Sequence, residues 1–150
     1  MSWFKPQEGT WAIEVNKTVG FTNIYGALFY IPSPNRQELW KTFGSGTMRY
    51  SYFNDSNVSQ SDITFSTVLT SGKNKIYAAY KTDDCIVGLN GSSTGTDTSA
   101  TMQTTLNSST SMSLFYEPTN VGEFWNGHIS RFTYYPKRLT NDQLNSLSRQ

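Results

Sequence analysis

Nine short runs rich in β-branched and aromatic residues recur along this chain, with turn-forming residues between them. They are TWAIEV (10–15), YGALFYI (25–31), QELWKTF (37–43), MRYSYF (48–53), ITFSTVL (63–69), KIYAAYK (75–81), CIVGLN (85–90), SMSLFY (111–116) and GHISRFTYY (127–135). Runs of this length at this spacing predict an all-β, antiparallel two-sheet sandwich. Several alternate with period two, as in Trp11/Ile13/Val15 and Ile76/Ala78/Tyr80, so one face of each strand is expected inside. Asn90-Gly91 follows one run, and both residues tolerate the positive φ of a two-residue type I′ hairpin. The Ser/Thr/Asn-dense segments 54–61 and 92–110 are framed by strands and read as loops.

The chain's last 27 residues, FWNGHISRFTYYPKRLTNDQLNSLSRQ, break the pattern. Ile129, Phe132 and Tyr134 are spaced three and then two apart. Strict alternation would put Ile129 and Phe132 on opposite faces, so a bulge between them is expected to turn all three inward. Pro136 lacks the N–H a ladder needs and ends the strand. Thr140 then reads as an N-cap with Gln143 completing a capping box, and Leu139 and Leu144 as the two halves of a hydrophobic staple. Leu147 extends the same apolar face, which predicts one short helix tucked against a sheet.

Composition narrows the class. The 150 residues read as a single domain, enough to bury about 68–70% of the unfolded surface. Ser, Thr and Asn number 19, 19 and 12, and aromatics make up 15% of the chain, a mixture that suits half-buried strands joined by polar turns. Twelve basic against eleven acidic residues leave a net charge of +1, without the electrostatic footprint that nucleic acid or an anionic membrane demands. The single cysteine, Cys85, forms no internal disulfide, and one thiol with one histidine cannot build a zinc site. No apolar run reaches the roughly 18 residues of a membrane span, and MSWFKPQEG has no apolar signal core. The expectation is a soluble chain without cofactor or metal.

The order NKIYAAYKTDDCIVGLNG, then GTDTSA, then FWNGHISRFTYYPKRLTNDQL closely resembles the concanavalin A-like, laminin G-like jelly-roll domain of bacteriophage structural proteins such as tail-fibre and head-fibre components. SWFKPQEGTWAIEV is similar to the first core strand of such domains, so the likeness covers nearly the whole chain. It implies a jelly roll of the lectin and glucanase type over 1–150, sited in a virion, itself a whole protein or a piece of a longer fibre chain. The implied partners are other virion proteins, copies of itself and, as candidate ligand, a host-surface glycan. Phage relatives commonly carry sequence ahead of the SWF element. Where that upstream segment is absent, the first strand is expected to present an open edge, covered by a partner chain or by neighbouring copies near Trp3 and Phe4. The alternative is a self-contained monomer whose first strand is blunted by Lys5 and Pro6.

The fold type includes glucanases, and retaining hydrolysis needs two carboxyls about 5–5.5 Å apart. No E-x-D-x-x-E motif is present. Glu117 and Glu123 lie six residues apart across a Pro- and Gly-containing loop, His128 is the sole imidazole, and no G-x-S-x-G marks a nucleophile, so a non-catalytic chain is expected. Asp83-Asp84 reads as a solvated turn, because calcium wants six to eight oxygens from several ligands. Asp97 in TDTSA reads as an Asx turn. The five N-x-S/T triplets, from Asn16, Asn54, Asn57, Asn90 and Asn107, read as chance in a chain so rich in Ser and Thr. Sugar faces use aromatic rings because the C–H face of a pyranose packs on them. Trp40, Tyr50, Tyr52, Tyr116 and Trp125 are the candidates for such a face, whereas Trp3, Trp11, Phe132 and Tyr134 read as core or edge packing.

Two functions remain open on these residues: a binding module for a host-surface glycan or receptor, and a structural capsid or fibre protein with no ligand of its own. Glycan hydrolysis is a third and weaker alternative.

Overall fold

The structure, a computed structural model, describes residues 3–17, 26–32, 36–41, 47–54, 56–103, 111–114 and 127–149, the side chains at 40 and 41 apart. Ten strands and one helix are seen among them: β1 (Glu8–Lys17), β2 (Gly26–Ile31), β3 (Gln37–Lys41), β4 (Thr47–Phe53), β5 (Ser59–Val68), β6 (Gly72–Lys81), β7 (Cys85–Leu89), β8 (Ser92–Asp97), β9 (Ser113–Leu114), β10 (Gly127–Tyr135) and α1 (Asn141–Ser148). They form two five-stranded antiparallel sheets, ordered β10-β1-β6-β7-β8 and β5-β4-β3-β2-β9.

The predicted alternation holds. Trp11, Ile13 and Val15 of β1 and Ile76, Ala78 and Tyr80 of β6 point into the core, where they meet Phe29, Ile31, Leu39, Tyr50, Tyr52 and Phe65 of the facing sheet. Each fully buried large side chain contributes roughly 2–3 kcal/mol of apolar burial, so the interlayer contact is the main source of stability. β6 buries its other face too. Tyr77 and Ala79, with Ile86 of β7, lie under Leu139 and Leu144 at the helix.

The last strand bends as its spacing requires. Val15 pairs with Ile129 but Glu14 pairs with Arg131, so Ser130 is an extra residue in the ladder. The bulge leaves Ser130 and Arg131 both exposed and lets Ile129, Phe132 and Tyr134 all pack on the core. The strand ends at Tyr135, before Pro136. Thr140 then caps α1, its Oγ1 accepting from Gln143 N at 3.4 Å while Gln143 Oε1 accepts from Thr140 N at 3.0 Å.

Three expectations change. Segment 92–110 begins with a strand, β8, rather than a loop. The chain turns at Asn90 (φ 51°) and Gly91 (φ 87°) and returns alongside β7, where an edge strand of small polar residues needs little inward bulk. Gly95 is small because a Cβ there would stand 2.5 Å from Ile63 and 3.2 Å from the Thr64 carbonyl of β5. Segment 54–61 likewise gives its last residues, from Ser59, to β5. The open edge expected at the first strand is absent, because β1 is an interior strand paired with β10 on one side and β6 on the other.

Candidate functional site

Of the five aromatic candidates, the two whose side chains are described, Tyr50 and Tyr52, lie in the core. Tyr50 and Tyr52 alternate inward with Met48 on β4 and are closed to solvent, at 0% and 1% exposure. Their hydroxyls are used internally. Tyr50 donates to Gln37 Oε1 at 3.0 Å, and Tyr52 donates to the Pro6 carbonyl at 2.8 Å while accepting from Gln103 N at 3.1 Å. Their placing on a sugar face is therefore corrected, since a stacking ring must reach solvent. Trp40 sits on β3, paired with Ala27 and Arg49 across the ladder, and its side chain lies outside the described residues. Tyr116 and Trp125 also lie outside them, as do Glu117 and Glu123.

Tyrosines instead fasten the first residues to the sandwich. The Lys5 carbonyl accepts from Tyr80 OH at 2.8 Å, and the Lys5 N–H donates to Tyr134 OH at 3.0 Å. Trp3, 45% exposed, packs edge-on against Phe4, Trp11 and Tyr134. Asp83 takes positive φ in an exposed turn beside Asp84, which pairs with Lys81 and Arg138. Asp97 Oδ1 accepts from both Ser99 N and Ser99 Oγ at 2.9 Å, the expected Asx turn. No group of three or more metal-ligating side chains occurs among the described residues.

A concave site does exist, on the outer face of the first sheet. Tyr135 follows Tyr134 and so points the opposite way, outward, beneath α1. Between β10 and the helix lies a shallow, open cleft of about 480 Å³, lined by Tyr135, Leu139 and Leu147 and by the exposed Asp142, Gln143 and Ser146. That volume is within the roughly 300–1,000 Å³ of small-molecule sites, and an apolar floor with a few polar groups is their usual make-up. A smaller pit of about 20 Å³ adjoins it, sharing Tyr135 and Leu147 and lined also by Ala12, Glu14, Arg131 and Thr133.

The helix that lines the cleft is fastened to the sheet at both ends. Thr10 Oγ1 donates to the Lys137 carbonyl at 3.0 Å and accepts from Leu139 N at 3.1 Å. Arg138 N donates to Glu8 Oε2 at 3.2 Å, and its guanidinium reaches Asp84 at 2.7 Å. At the far end Ser148 Oγ accepts from Gly91 N at 3.1 Å, tying α1 to the β7–β8 turn. Sequence reasoning placed Gln143 and Leu147 in the helix and Leu139 just before its cap but did not see the cleft. The available signal was Tyr135 itself, since an inward Tyr134 requires an outward neighbour.

No family model matches this chain, and no curated protein matches it by sequence. Solved structures do match. A native heptameric SAP-like pentraxin from Limulus polyphemus superposes with a TM-score of 0.62 at 15% identity, covering 94% of this chain and 69% of that one. Domains LG4-5 of the mouse laminin alpha1 chain give 0.61 at 14% identity, covering 91% and 38%. A Trypanosoma rangeli sialidase, solved with the inhibitor DANA, gives 0.53 at 13% identity, covering 95% and 22%. The chain thus spans well under half of the laminin and sialidase chains. At such identities the likeness establishes the fold: a concanavalin A-like, laminin G-like jelly roll with one short C-terminal helix.

Proposed function

We propose that this chain is a non-catalytic recognition domain that holds a saccharide in the cleft between α1 and β10, and that it serves as a bacteriophage tail-fibre, head-fibre or decoration component meeting a host-surface glycan. The cleft carries the recognition half of this reading. Tyr135 offers a ring for the C–H face of a sugar, and Asp142, Gln143 and Ser146 stand along one rim to exchange hydrogen bonds with its hydroxyls. The virion half rests on the sequence resemblance of the strand–turn–helix ending.

The non-catalytic part is supported by how the described glutamates are engaged. Glu8 accepts from Arg138 N, Glu14 pairs with Lys73 and Lys75, and Glu38 pairs with Arg36. A glycosidase needs one carboxyl free to give a proton and a second opposite it. Asp142 and Glu14 line neighbouring cavities, but Glu14 is already held by two ammonium groups.

A glycan-array screen of the purified protein beside Tyr135→Ala tests the reading. Binding by the parent that the folded variant loses is the expected result, and no binding by the parent rejects it. Mass spectrometry of purified virions tests the setting, where the chain is expected in several copies.

A purely structural role, in assembly without a ligand, is favoured by one observation. β10 is the outer strand of its sheet, nine residues long, with no strand paired to its other side among the described residues. Open edges of that length invite pairing with another chain. Self-association in light scattering, lost on placing a proline at Ser130, would point that way.

A further inference from the structure

The pit that adjoins the cleft differs from it in charge. Glu14, Arg131 and Lys75 stand in one row across the outer face, since Glu14 pairs with Arg131 on β10 and with Lys75 on β6. Glu14 spends its charge toward β6. Its Oε2 lies 3.1 Å from Lys73 Nζ and its Oε1 3.8 Å from Lys75 Nζ. The exposed Arg131 guanidinium, lifted to the surface by the bulge at Ser130, has no hydrogen bond or ion pair among the described residues. Two lysines thus engage the Glu14 carboxylate and Arg131 stands across the ladder from it at this end, while among the described lining residues the one charged group of the main cleft is Asp142.

Building on the saccharide reading above, we infer that the two cavities form one directional site for an acidic glycan: a sugar ring stacks on Tyr135 in the main cleft, and a carboxylate on that ring or its neighbour reaches the pit to meet Arg131. The dimensions suit this division. About 480 Å³ of open cleft is within the range of small-molecule sites, whereas about 20 Å³ admits a single oxygen-sized group, such as one oxygen of a carboxylate. A planar guanidinium with its donors unused matches a carboxylate through two parallel hydrogen bonds. Thr133 and Leu147 line the same pit, one supplying a hydroxyl beside the anion and the other a wall that excludes water. Tyr135 borders both cavities, so one ring sets the distance between the stacked sugar and the anion.

The test compares a hexuronic-acid-containing oligosaccharide with its carboxyl-reduced, otherwise identical counterpart, titrated calorimetrically into the intact protein at low and high salt. The parent is expected to bind the acidic form about tenfold more tightly, the preference shrinking as salt screens the exposed guanidinium. Arg131→Gln is expected to abolish the preference while retaining the neutral sugar, and Tyr135→Ala to lose both. Equal binding of the two sugars by the parent, or a preference unchanged in Arg131→Gln, overturns the inference and leaves the saccharide reading standing. Binding of neither sugar by folded parent overturns both. Near-ultraviolet circular dichroism of each variant, matched to the parent, shows that lost binding is not lost folding.

Discussion

The indole Nε1 of Trp11 donates to Oε1 of Gln37 at 3.0 Å, joining an interior strand of one sheet to an interior strand of the other. The same oxygen accepts from Tyr50 OH at 3.0 Å. All three residues are fully buried. Gln37→Leu keeps the volume but leaves two buried donors without this acceptor, each costing about 1–3 kcal/mol. The variant is expected to lose roughly 2–6 kcal/mol in urea denaturation. A loss below about 1 kcal/mol would mean that the indole and the phenol find other acceptors.

The same pair marks where the sequence was legible and where it was not. Trp11 was read correctly because burial on a strand follows from alternation, a local property. Tyr50 and Tyr52 alternate in the same way, yet were offered as ligand contacts, because alternation does not say which face is the core. That is decided by the opposite sheet, whose Tyr80 packs against both rings, while Gln37 of the neighbouring strand and the Pro6 carbonyl take up their hydroxyls. β8 was missed for a related reason: its partner β7 and Ile63 of β5 hold it, while its own side chains carry almost no signal. The bulge, the capping box and the staple were legible because each is fixed within a few residues.

The capping box gives a direct check on the C-terminal helix. Thr140→Ala removes the oxygen that accepts from Gln143 N and should lower stability by about 1 kcal/mol. An unchanged midpoint in chemical denaturation would show that Gln143 N finds water equally well.

Gly91 tests the turn that carries β8. Its φ of 87° belongs to the region that L side chains rarely adopt, and a Cβ there would also stand 3.3 Å from Arg149 at the end of α1. Gly91→Ala is expected to cost about 1–2 kcal/mol from backbone strain. Because Gly91 N also donates to Ser148 Oγ, hydrogen exchange should rise at both β8 and the last turn of α1. Faster exchange at β8 alone would separate the hairpin from the helix.

Alkaline pH should loosen the core. Burial is the largest cause raising the phenols of Tyr50 and Tyr80 well above the usual tyrosine range, with neighbouring ionisable side chains adding to it. Burial likewise raises Tyr134 and Tyr77 and pushes the Cys85 thiol up to about 11. In the unfolded chain the thiol titrates near 8.5 and the phenols near 10. The neutral forms are therefore favoured by the fold. Their contribution is complete below about pH 8.5 and is lost as pH climbs, because the unfolded chain gives up protons that the folded chain keeps. Each such group adds a slope of about 1.4 kcal/mol per pH unit between its unfolded and folded values. Urea denaturation should show a first decline beginning near pH 8.5–9 and a steeper one beyond about 10. In Cys85→Ala the first decline should vanish while the second remains. Stability that holds constant from pH 8 to 11 in the parent would mean that these phenols and the thiol reach solvent in the folded protein, contrary to their burial between the two sheets and, for Tyr77, under the helix.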